Sequence, residues 1–145
     1  MEIKSRILEV LQSGHLMSLA TSDENGLWVS DVVYIFDEDL NIYWMSDPDV
    51  HHSKSIVKNG QAAGTITISN KSKGSNLGIQ FSGIASKIDG PRYDLAKKHL
   101  KKRSHPEPKE EDDVLKGDSW YVLKPNKIDL IDEAQWGYDK KSLSL

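Results

Sequence analysis

The chain has 145 residues, carries 19 Lys and Arg against 22 Asp and Glu, and contains no cysteine. This length suits one domain with a real hydrophobic core, so we take residues 1–145 as a single domain. The absence of cysteine excludes disulfide scaffolds, cysteine zinc sites, iron–sulfur ligation and cysteine nucleophiles. The formal charge of −3 gives no global footprint for nucleic acid, and we expect no nucleic-acid partner.

The beginning of the chain is charged and helically periodic, which is not typical of a signal peptide. No apolar run approaches the ~20 residues that a membrane-spanning helix needs. We therefore expect no membrane partner and a cytoplasmic location.

The first half of the chain predicts one helix followed by strands. Apolar residues recur on one helical stripe from Ile3 to Leu11, and Gly14 ends it. Strands are predicted over 15–21, 27–36, 41–46, 61–69 and 77–88, with a hairpin turn over 23–26 and a short helix from the histidine pair to Asn59-Gly60. A polar loop is predicted over residues 70–75.

In the second half, Pro91 predicts the start of a helix, because proline suits the first helical position. Two further strands follow over 120–123 and 127–131, separated at Pro125-Asn126, with Trp120 and Tyr121 in the core. Many short, hairpin-linked strands with few helices predict a mainly β fold, a closed antiparallel barrel or sandwich with peripheral helices.

The segment 42–54, IYWMSDPDVHHSK, is the first candidate site. An apolar strand ends at Ser46, a polar turn follows, and a helix opens with His51, His52 and Lys54. Unpaired N–H groups and positive partial charge at a helix start suit an anion such as a phosphate, and these side chains add donors or charge. The alternative is a solvated polar connection.

The segment 78–83, GIQFSG, is the second candidate site. Glycine in a strand lets a ligand or another backbone come close, and the amide of Gln80 can both donate and accept hydrogen bonds. The alternative is a solvent-facing glutamine beside two bulge glycines.

Three further features of the sequence are candidate functional signals. Adjacent His51 and His52 point about 100° apart on a helix, which disfavours a shared metal, and we predict no metal site. The basic helix after Pro91 could contact an acidic surface, but a solvated face explains it better. The aromatics Trp136 and Tyr138 in the tail either cap the subunit or reach a partner or flat ligand.

Taken in order, the segments LMSLATSDENGLWVSDVVYIF, IYWMSDPDVHHSKSIVKNGQAAGTI, GIQFSGIAS and YDLAKKHLKKRSHP resemble the pyridoxamine-phosphate-oxidase-like family of FMN-binding split β-barrels. The chain looks most similar to a small, uncharacterised bacterial branch with an [Arg/His]-His pair before the helix. The resemblance implies a Greek-key split barrel and a homodimer with FMN at the subunit interface.

The same resemblance assigns residues to the flavin. It implies that strand 30–33 lines the isoalloxazine, that the histidine pair meets the phosphate, and that Trp136 corresponds to an aromatic from the other subunit. The implied cofactor-binding residues are Ser30, Asp31, Val32, Val33, Ser46, His51, His52, Lys54, Gln80 and Trp136. For the dimer contact we expect apolar strand surface at Trp28, Val32, Tyr34 and Trp44.

Two departures from the family pattern bear on function. Histidines stand where the oxidase has Arg-Lys on the phosphate, and they are only partly charged at neutral pH. The Arg and His that follow the family's C-terminal Trp are absent, which argues against vitamin B6 oxidation. The expectation is an FMN-dependent oxidoreductase of unnamed small-molecule substrate, with no assigned catalytic residue. Its alternatives are a haem- or deazaflavin-binding relative and a non-enzymatic flavin-binding or sensing module.

Overall fold

Strands dominate the computed structural model of the chain, which describes residues 2–69 and 72–145. Its helices are α1 (Ile3–Ser13), α2 (His51–Lys58), α3 (Tyr93–Lys102) and α4 (Glu133–Trp136). Its strands are β1 (Leu16–Asp23), β2 (Gly26–Val33), β3 (Ile35–Phe36), β4 (Ile42–Ser46), β5 (Gln61–Thr67), β6 (Leu77–Ile88), β7 (Ser119–Asp132) and β8 (Lys141–Ser144).

All these strands join one antiparallel sheet in the order β2-β1-β5-β6-β7-β4-β3, with β8 added on β7. The two ends of this path, β2 and β3, are separated in the chain by Tyr34 alone. The sheet must therefore curl until its ends approach each other. The predicted mainly β fold with a barrel-like sheet and peripheral helices is confirmed.

Tyr34 marks the corner at which the predicted strand 27–36 divides in two. Before it, β2 pairs with β1, and after it, β3 pairs with β4. The Tyr34 ring is fully buried, and its hydroxyl donates to the carbonyl of Leu11 at 2.7 Å. This bond ties the corner to the end of α1.

The hairpin between β1 and β2 has Glu24 and Asn25 at its tip and pairs Asp23 with Gly26, so the predicted turn is confirmed. The carboxylate of Asp23 accepts the backbone N–H of Asn25 at 2.7 Å, which stabilises the turn. Gly26 follows with a φ of 105°, a conformation that other residues rarely adopt.

The predicted break at Pro125-Asn126 is wrong, because β7 is one continuous strand. The register between β6 and β7 shifts instead, from Ser82 opposite Lys127 to Gly83 opposite Pro125. This bulge accommodates the residue that cannot donate a ladder hydrogen bond. A Cβ on Gly83 would lie 2.1 Å from the Lys124 carbonyl oxygen, so only glycine fits beside the bulge.

Three local predictions also need adjustment. Helix α3 begins at Tyr93, because Arg92 adopts a left-handed conformation (φ 46°) that leaves Pro91 outside the helix. The tail, for which no element was predicted, contains α4 and β8. Of the predicted loop 70–75, residues 70 and 71 lie outside the described part of the chain.

The core lies between the inner face of the sheet and α1. Trp120 and Tyr121 are fully buried, as predicted. Three residues expected at a dimer contact are also core residues: Val32 is 9% exposed, and Tyr34 and Trp44 are 0% exposed. That part of the prediction is wrong, since the period-two alternation of a strand turns these side chains inward. Of the four, Trp28 remains 47% exposed.

Within the described residues, no helix combines the length and apolar character required to cross a membrane.

Candidate functional site

The junction between β4 and α2 builds one end of the candidate site. Strand β4 ends at Ser46, and the carboxylate of Asp47 accepts the backbone N–H of Asp49 at 2.8 Å. The carbonyl of Asp47 also accepts the N–H of Val50 at 3.3 Å. This tight turn delivers the chain directly into the first residue of α2, His51.

The start of α2 presents free donors. The N-cap residue of α2 is Val50, whose side chain cannot accept a capping hydrogen bond. The first turn of the helix contains no acidic residue. The N–H of Lys54 is bonded to the carbonyl of Val50 at 3.1 Å, whereas the preceding N–H groups, from His51 to Ser53, have no partner earlier in the helix. An anion at this position meets N–H donors and the positive end of the helix dipole.

Ser46 and His52 form a hydrogen-bonded pair across this junction. The Nε2 atom of His52 lies 3.0 Å from the Oγ atom of Ser46, so one of the two groups donates to the other. Burial lowers the pKa of His52 below its usual value, and the nearby charge of His51 lowers it further. His52 therefore serves as a neutral hydrogen-bonding ring at neutral pH, not as the permanent cation that the family pattern has.

The second histidine of the pair is held by an aromatic stack. The rings of His51 and Trp28 lie with centroids 4.2 Å apart and planes inclined by 7°. Trp28 belongs to β2, so the stack joins the first turn of α2 to the β1–β2 hairpin. Trp28 was assigned to a dimer contact from the sequence, and nothing in the local pattern indicates its contact with His51.

Further contacts fix α2 on the same hairpin. The Ser55 hydroxyl donates to the carboxylate of Asp23 at 2.8 Å, and this bond helps to lower the pKa of Asp23, after the larger effect of the Asn25 N–H. Lys58 pairs with Glu24 at 2.9 Å. These bonds attach α2 to the hairpin and so help to position the start of the helix.

A row of polar side chains crosses the outer face of the sheet. Ladder pairing places Asp31, Ser18, Thr65 and Gln80 side by side on four neighbouring strands. The Ser18 hydroxyl donates to Asp31 at 2.6 Å, and Lys140 donates to the amide oxygen of Gln80 at 3.1 Å. A shallow groove of about 290 Å³ includes the Thr65 and Gln80 end of this row.

The predicted strand 30–33 divides its side chains between two faces. Asp31 and Val33 point outward with the polar row, whereas Ser30 and Val32 point toward the barrel interior. Ser30 and Val32 can therefore offer an outer-face ligand only their backbone groups.

The helix-start cluster and the polar row occupy opposite faces of the sheet. Trp28, which stacks on His51, pairs with the buried Thr21 and so projects from the inner face of β2. Asp31, three positions later in the same strand, projects from the outer face. One copy of the chain therefore does not bring Gln80 onto the cluster of Ser46, His51 and His52.

The remaining predicted residues have distinct surroundings. Lys54 is exposed on α2, and no ion pair involves it within residues 2–69 and 72–145. Trp136 is partly buried against the core of its own chain, with the Lys141 ammonium 5.7 Å from its ring. Tyr138 is 93% exposed and is the tail aromatic that is free to reach a partner.

The space beside the glycines that flank Gln80 is filled by backbone atoms of neighbouring strands and leaves no room for a ligand. A Cβ on Gly78 would lie 2.7 Å from the carbonyl oxygen of Ile66, and Gly83 adjoins the β7 bulge. Their close neighbours are therefore adjacent strands. Among the described residues, no three His, Asp or Glu side chains are grouped closely enough to hold a metal ion.

Comparison with known proteins finds no matching family model. The chain is 29% identical over 93 residues to the UPF0306 protein PM1958 of Pasteurella multocida, a match that spans 63% of this chain and 62% of that protein. It is 25% identical over 146 residues to the UPF0306 protein YhbP of Escherichia coli O157:H7, covering 100% of this chain and 95% of YhbP.

Solved structures share the fold at lower identity. General stress protein 26 of Bacillus anthracis superimposes with a TM-score of 0.74 at 16% identity, covering 100% of both chains. A candidate pyridoxamine 5′-phosphate oxidase of Listeria innocua gives 0.70 at 15% identity, covering 89% of this chain and 98% of that one. The haem storage protein HutZ of Vibrio cholerae gives 0.65 at 13% identity, covering 99% and 95%. The chain has the split-barrel fold of the oxidase-like proteins.

Proposed function

We propose that this protein is an FMN-binding homodimer that acts as a flavin-dependent oxidoreductase on a small molecule. The observation that carries the proposal is the start of α2. There, unpaired N–H groups, the Ser46–His52 pair and the exposed Lys54 surround a position suited to a phosphate group. The likeness of the fold to an oxidase-like protein supports flavin as the rest of the ligand.

The two faces of the sheet favour a site made by two chains. A flavin held at the α2 start of one copy would reach the polar row with Gln80 only if a second copy supplied that row. The outer face also carries exposed apolar side chains: Leu27 is 84% exposed, Val29 65% and Leu16 46%. Symmetric pairing is the commonest way to bury such a surface.

Each group has a defined task in this proposal. The N–H groups of α2 and Lys54 bind the phosphate, while the stack on Trp28 keeps His51 in place beside it. Gln80 and Asp31 offer hydrogen bonds to the edge of a flat heterocycle. Bound flavin supplies the hydride and electron transfer, and the protein positions it and limits solvent access.

The proposal is tested by ligand titration of the purified full chain. FMN and riboflavin differ only in the phosphate. We expect FMN to bind at least ~10-fold more tightly, because one charge-assisted hydrogen bond to the phosphate increases affinity by about that factor. Equal dissociation constants would show that the start of α2 does not bind phosphate. A third titration with haem tests the alternative suggested by HutZ, since a Soret band without flavin binding would replace FMN as the ligand.

Activity needs a separate measurement. The FMN-loaded protein is mixed anaerobically with reduced nicotinamide, and loss of the flavin absorption reports reduction. Stable flavin binding without any reduction would support the flavin-sensing alternative and contradict the oxidoreductase proposal.

A further inference from the structure

A cleft of about 660 Å³ opens away from the proposed flavin site. One wall is the C-terminal end of α1 with His15, the floor is the corner at Tyr34 with β3, and the other wall is α3. The side chains that matter are His15, Tyr34, Phe36, Lys98, Lys101 and Lys102. None of the cluster at the start of α2 lines it.

Three lysines face this cleft without a carboxylate partner. The Lys102 ammonium donates to the carbonyl of Tyr34 at 2.5 Å and lies 3.5 Å from the centroid of the Tyr34 ring. Lys98 approaches the carbonyl of Phe36 at 3.5 Å. In the described part of the chain, no ion pair involves Lys98, Lys101 or Lys102, whereas Lys97 on the same helix pairs with Glu107 at 3.1 Å.

Two acidic residues, Asp37 and Glu38, also line the cleft, but within the described residues neither forms an ion pair with these lysines. The carboxylate of Asp37 accepts from Asn41 at 3.0 Å and from the Tyr43 hydroxyl at 2.9 Å, so its oxygens are engaged within their own turn. Glu38 is exposed beside it. Positive charge is therefore concentrated on the α3 wall, opposite the apolar surfaces of Leu11, Tyr34 and Phe36.

We propose that this cleft is a second ligand site, which binds a small organic anion, a carboxylate or phosphate monoester carried on an apolar ring or short chain. The anion lies against Lys98, Lys101 and Lys102, and the apolar part lies against Tyr34 and Phe36. The cleft volume falls in the range of pockets for small ligands. Each ammonium has three donors, and Lys102 uses one of them on Tyr34, so donors remain for a ligand.

The protonation of Lys102 gives this site a distinctive signature. Burial lowers the pKa of Lys102 to about 8. An anion beside its ammonium favours the charged form and raises that pKa, so binding takes up a proton when the pH lies near 8. Affinity is therefore greatest below about 8 and declines as the pH rises through the pKa of the bound state. The other titratable groups facing the cleft are Tyr34, His15, Asp37, Glu38, Lys98 and Lys101.

The test uses three matched probes on the ligand-free full chain, followed by two-dimensional NMR of the backbone amides. Benzoate and phenyl phosphate carry the anion, and benzyl alcohol has the same ring without charge. We expect both anions, or one of them, to shift cleft amides saturably at pH 7, and the alcohol to bind at least ~5-fold more weakly. Tighter binding of phenyl phosphate identifies a phosphate ligand, and equal or tighter binding of benzoate identifies a carboxylate.

Matched variants locate the site. Lys102→Gln and the more exposed Lys98→Gln should each weaken anion binding by at least ~5-fold, while Lys97→Gln on the same helix removes the same charge and should leave it unchanged. Benzoate, which keeps its charge between pH 7 and 9, should bind more weakly at pH 9. Lys98→Gln keeps the test valid if Lys102→Gln disturbs the packing on Tyr34.

Several results would overturn the proposal. One is benzyl alcohol binding as tightly as the better-bound anion, and another is an equal loss of anion binding in Lys97→Gln. If neither small anion shifts the cleft amides, the small-anion site is wrong. Binding of a duplex oligonucleotide to α3 in that case would show that the basic face serves a polymer. All outcomes are independent of FMN binding, since the probes and residues are separate.

Discussion

The ring of His51 lies on Trp28 with a centroid separation of 4.2 Å and an inclination of only 7°. The two residues are distant in the sequence, one at the start of α2 and one in the β1–β2 hairpin. The stack therefore orients the first turn of the helix, where the unpaired N–H groups are, relative to the barrel. A change at Trp28 should affect ligand binding at a position that Trp28 itself does not touch.

Replacing Trp28 tests this coupling. Trp28→Ala removes the stack and should weaken FMN binding by roughly 2- to 10-fold, since an aromatic pair is worth about 0.5–1.5 kcal/mol. Trp28→Phe keeps a ring for His51 and is the matched control. Fluorescence titration with FMN measures both. If Trp28→Ala and Trp28→Phe lose the same FMN affinity, the effect of Trp28 does not depend on its ring stacking on His51.

Variants at His52 test the phosphate contact. His52→Ala should weaken FMN binding, and His52→Lys should bind at least as well as the natural chain, because it supplies a permanent cation. Burial lowers the pKa of free His52, and a bound phosphate raises it, so affinity should increase as the pH falls and be lost as the pH rises through the bound-state pKa. His52→Lys should flatten this dependence.

The usable window for that experiment lies between about pH 8 and 6, because the second ionisation of the FMN phosphate, near ~6, acts in the opposite direction below it. Titrations are made at several pH values within the window. If the natural chain and both His52 variants bind FMN alike throughout, His52 is not a phosphate ligand and Lys54 becomes the residue to replace.

The proposed homodimer predicts a mass of about twice the 16.3 kDa chain by light scattering at micromolar concentration. Val29, 65% exposed on the outer face of β2, lies at the proposed contact, and Val29→Glu should give a monomer because it buries a charge. Val57→Glu changes a 72% exposed valine on α2 and should remain dimeric. A natural chain that stays monomeric across dilution would contradict the two-chain site.

His99 predicts a loss of stability in mild acid. Its ring is 6% exposed and meets Trp120 edge-on, and burial, with a smaller effect of nearby positive charges, lowers its pKa to about 4. The unfolded chain takes up a proton near 6.5 while the folded chain does not, so the free energy of unfolding should fall by about 2 kcal/mol between pH 6.5 and 4.5 from this residue.

Urea unfolding of the natural chain and His99→Phe at both pH values measures that effect. Phenylalanine cannot titrate, so the variant should lose less stability on acidification. His105→Gln, at an exposed histidine, is the control and should behave as the natural chain does. An identical acid dependence in His99→Phe would assign the loss to other groups.

The bulge in β7 predicts a strict requirement at Gly83. In Gly83→Ala the new Cβ would lie 2.1 Å from the Lys124 carbonyl oxygen and 2.7 Å from the Cα of Pro125. Both neighbours are backbone and cannot move aside easily, so we expect a loss of about 2–3 kcal/mol in unfolding free energy. The adjacent exposed Ser82→Ala should change it little, and a small loss at both positions would contradict the bulge geometry.

The sequence by itself determined the order and type of most elements. Hydrophobic periodicity, the turn over 23–26 and the prolines located α1 to α3 and strands β1, β4, β5 and β6, because these signals act between residues close in the chain. They joined β2 and β3 into one strand, because nothing local marks the corner at Tyr34. The same signals indicated the helix start at His51. They missed β8 and the continuity of β7 through Pro125, because strand pairing depends on a distant partner, and here on Gly83 in β6.

The tertiary structure alone decided which candidate residues meet. It paired Ser46 with His52 and His51 with Trp28, and it turned Val32, Tyr34 and Trp44 into the core. It also separated Gln80 from the histidines by placing them on opposite faces of one sheet. Local patterns could not supply this, because the face and register of each residue in a closing barrel depend on how the whole sheet curls.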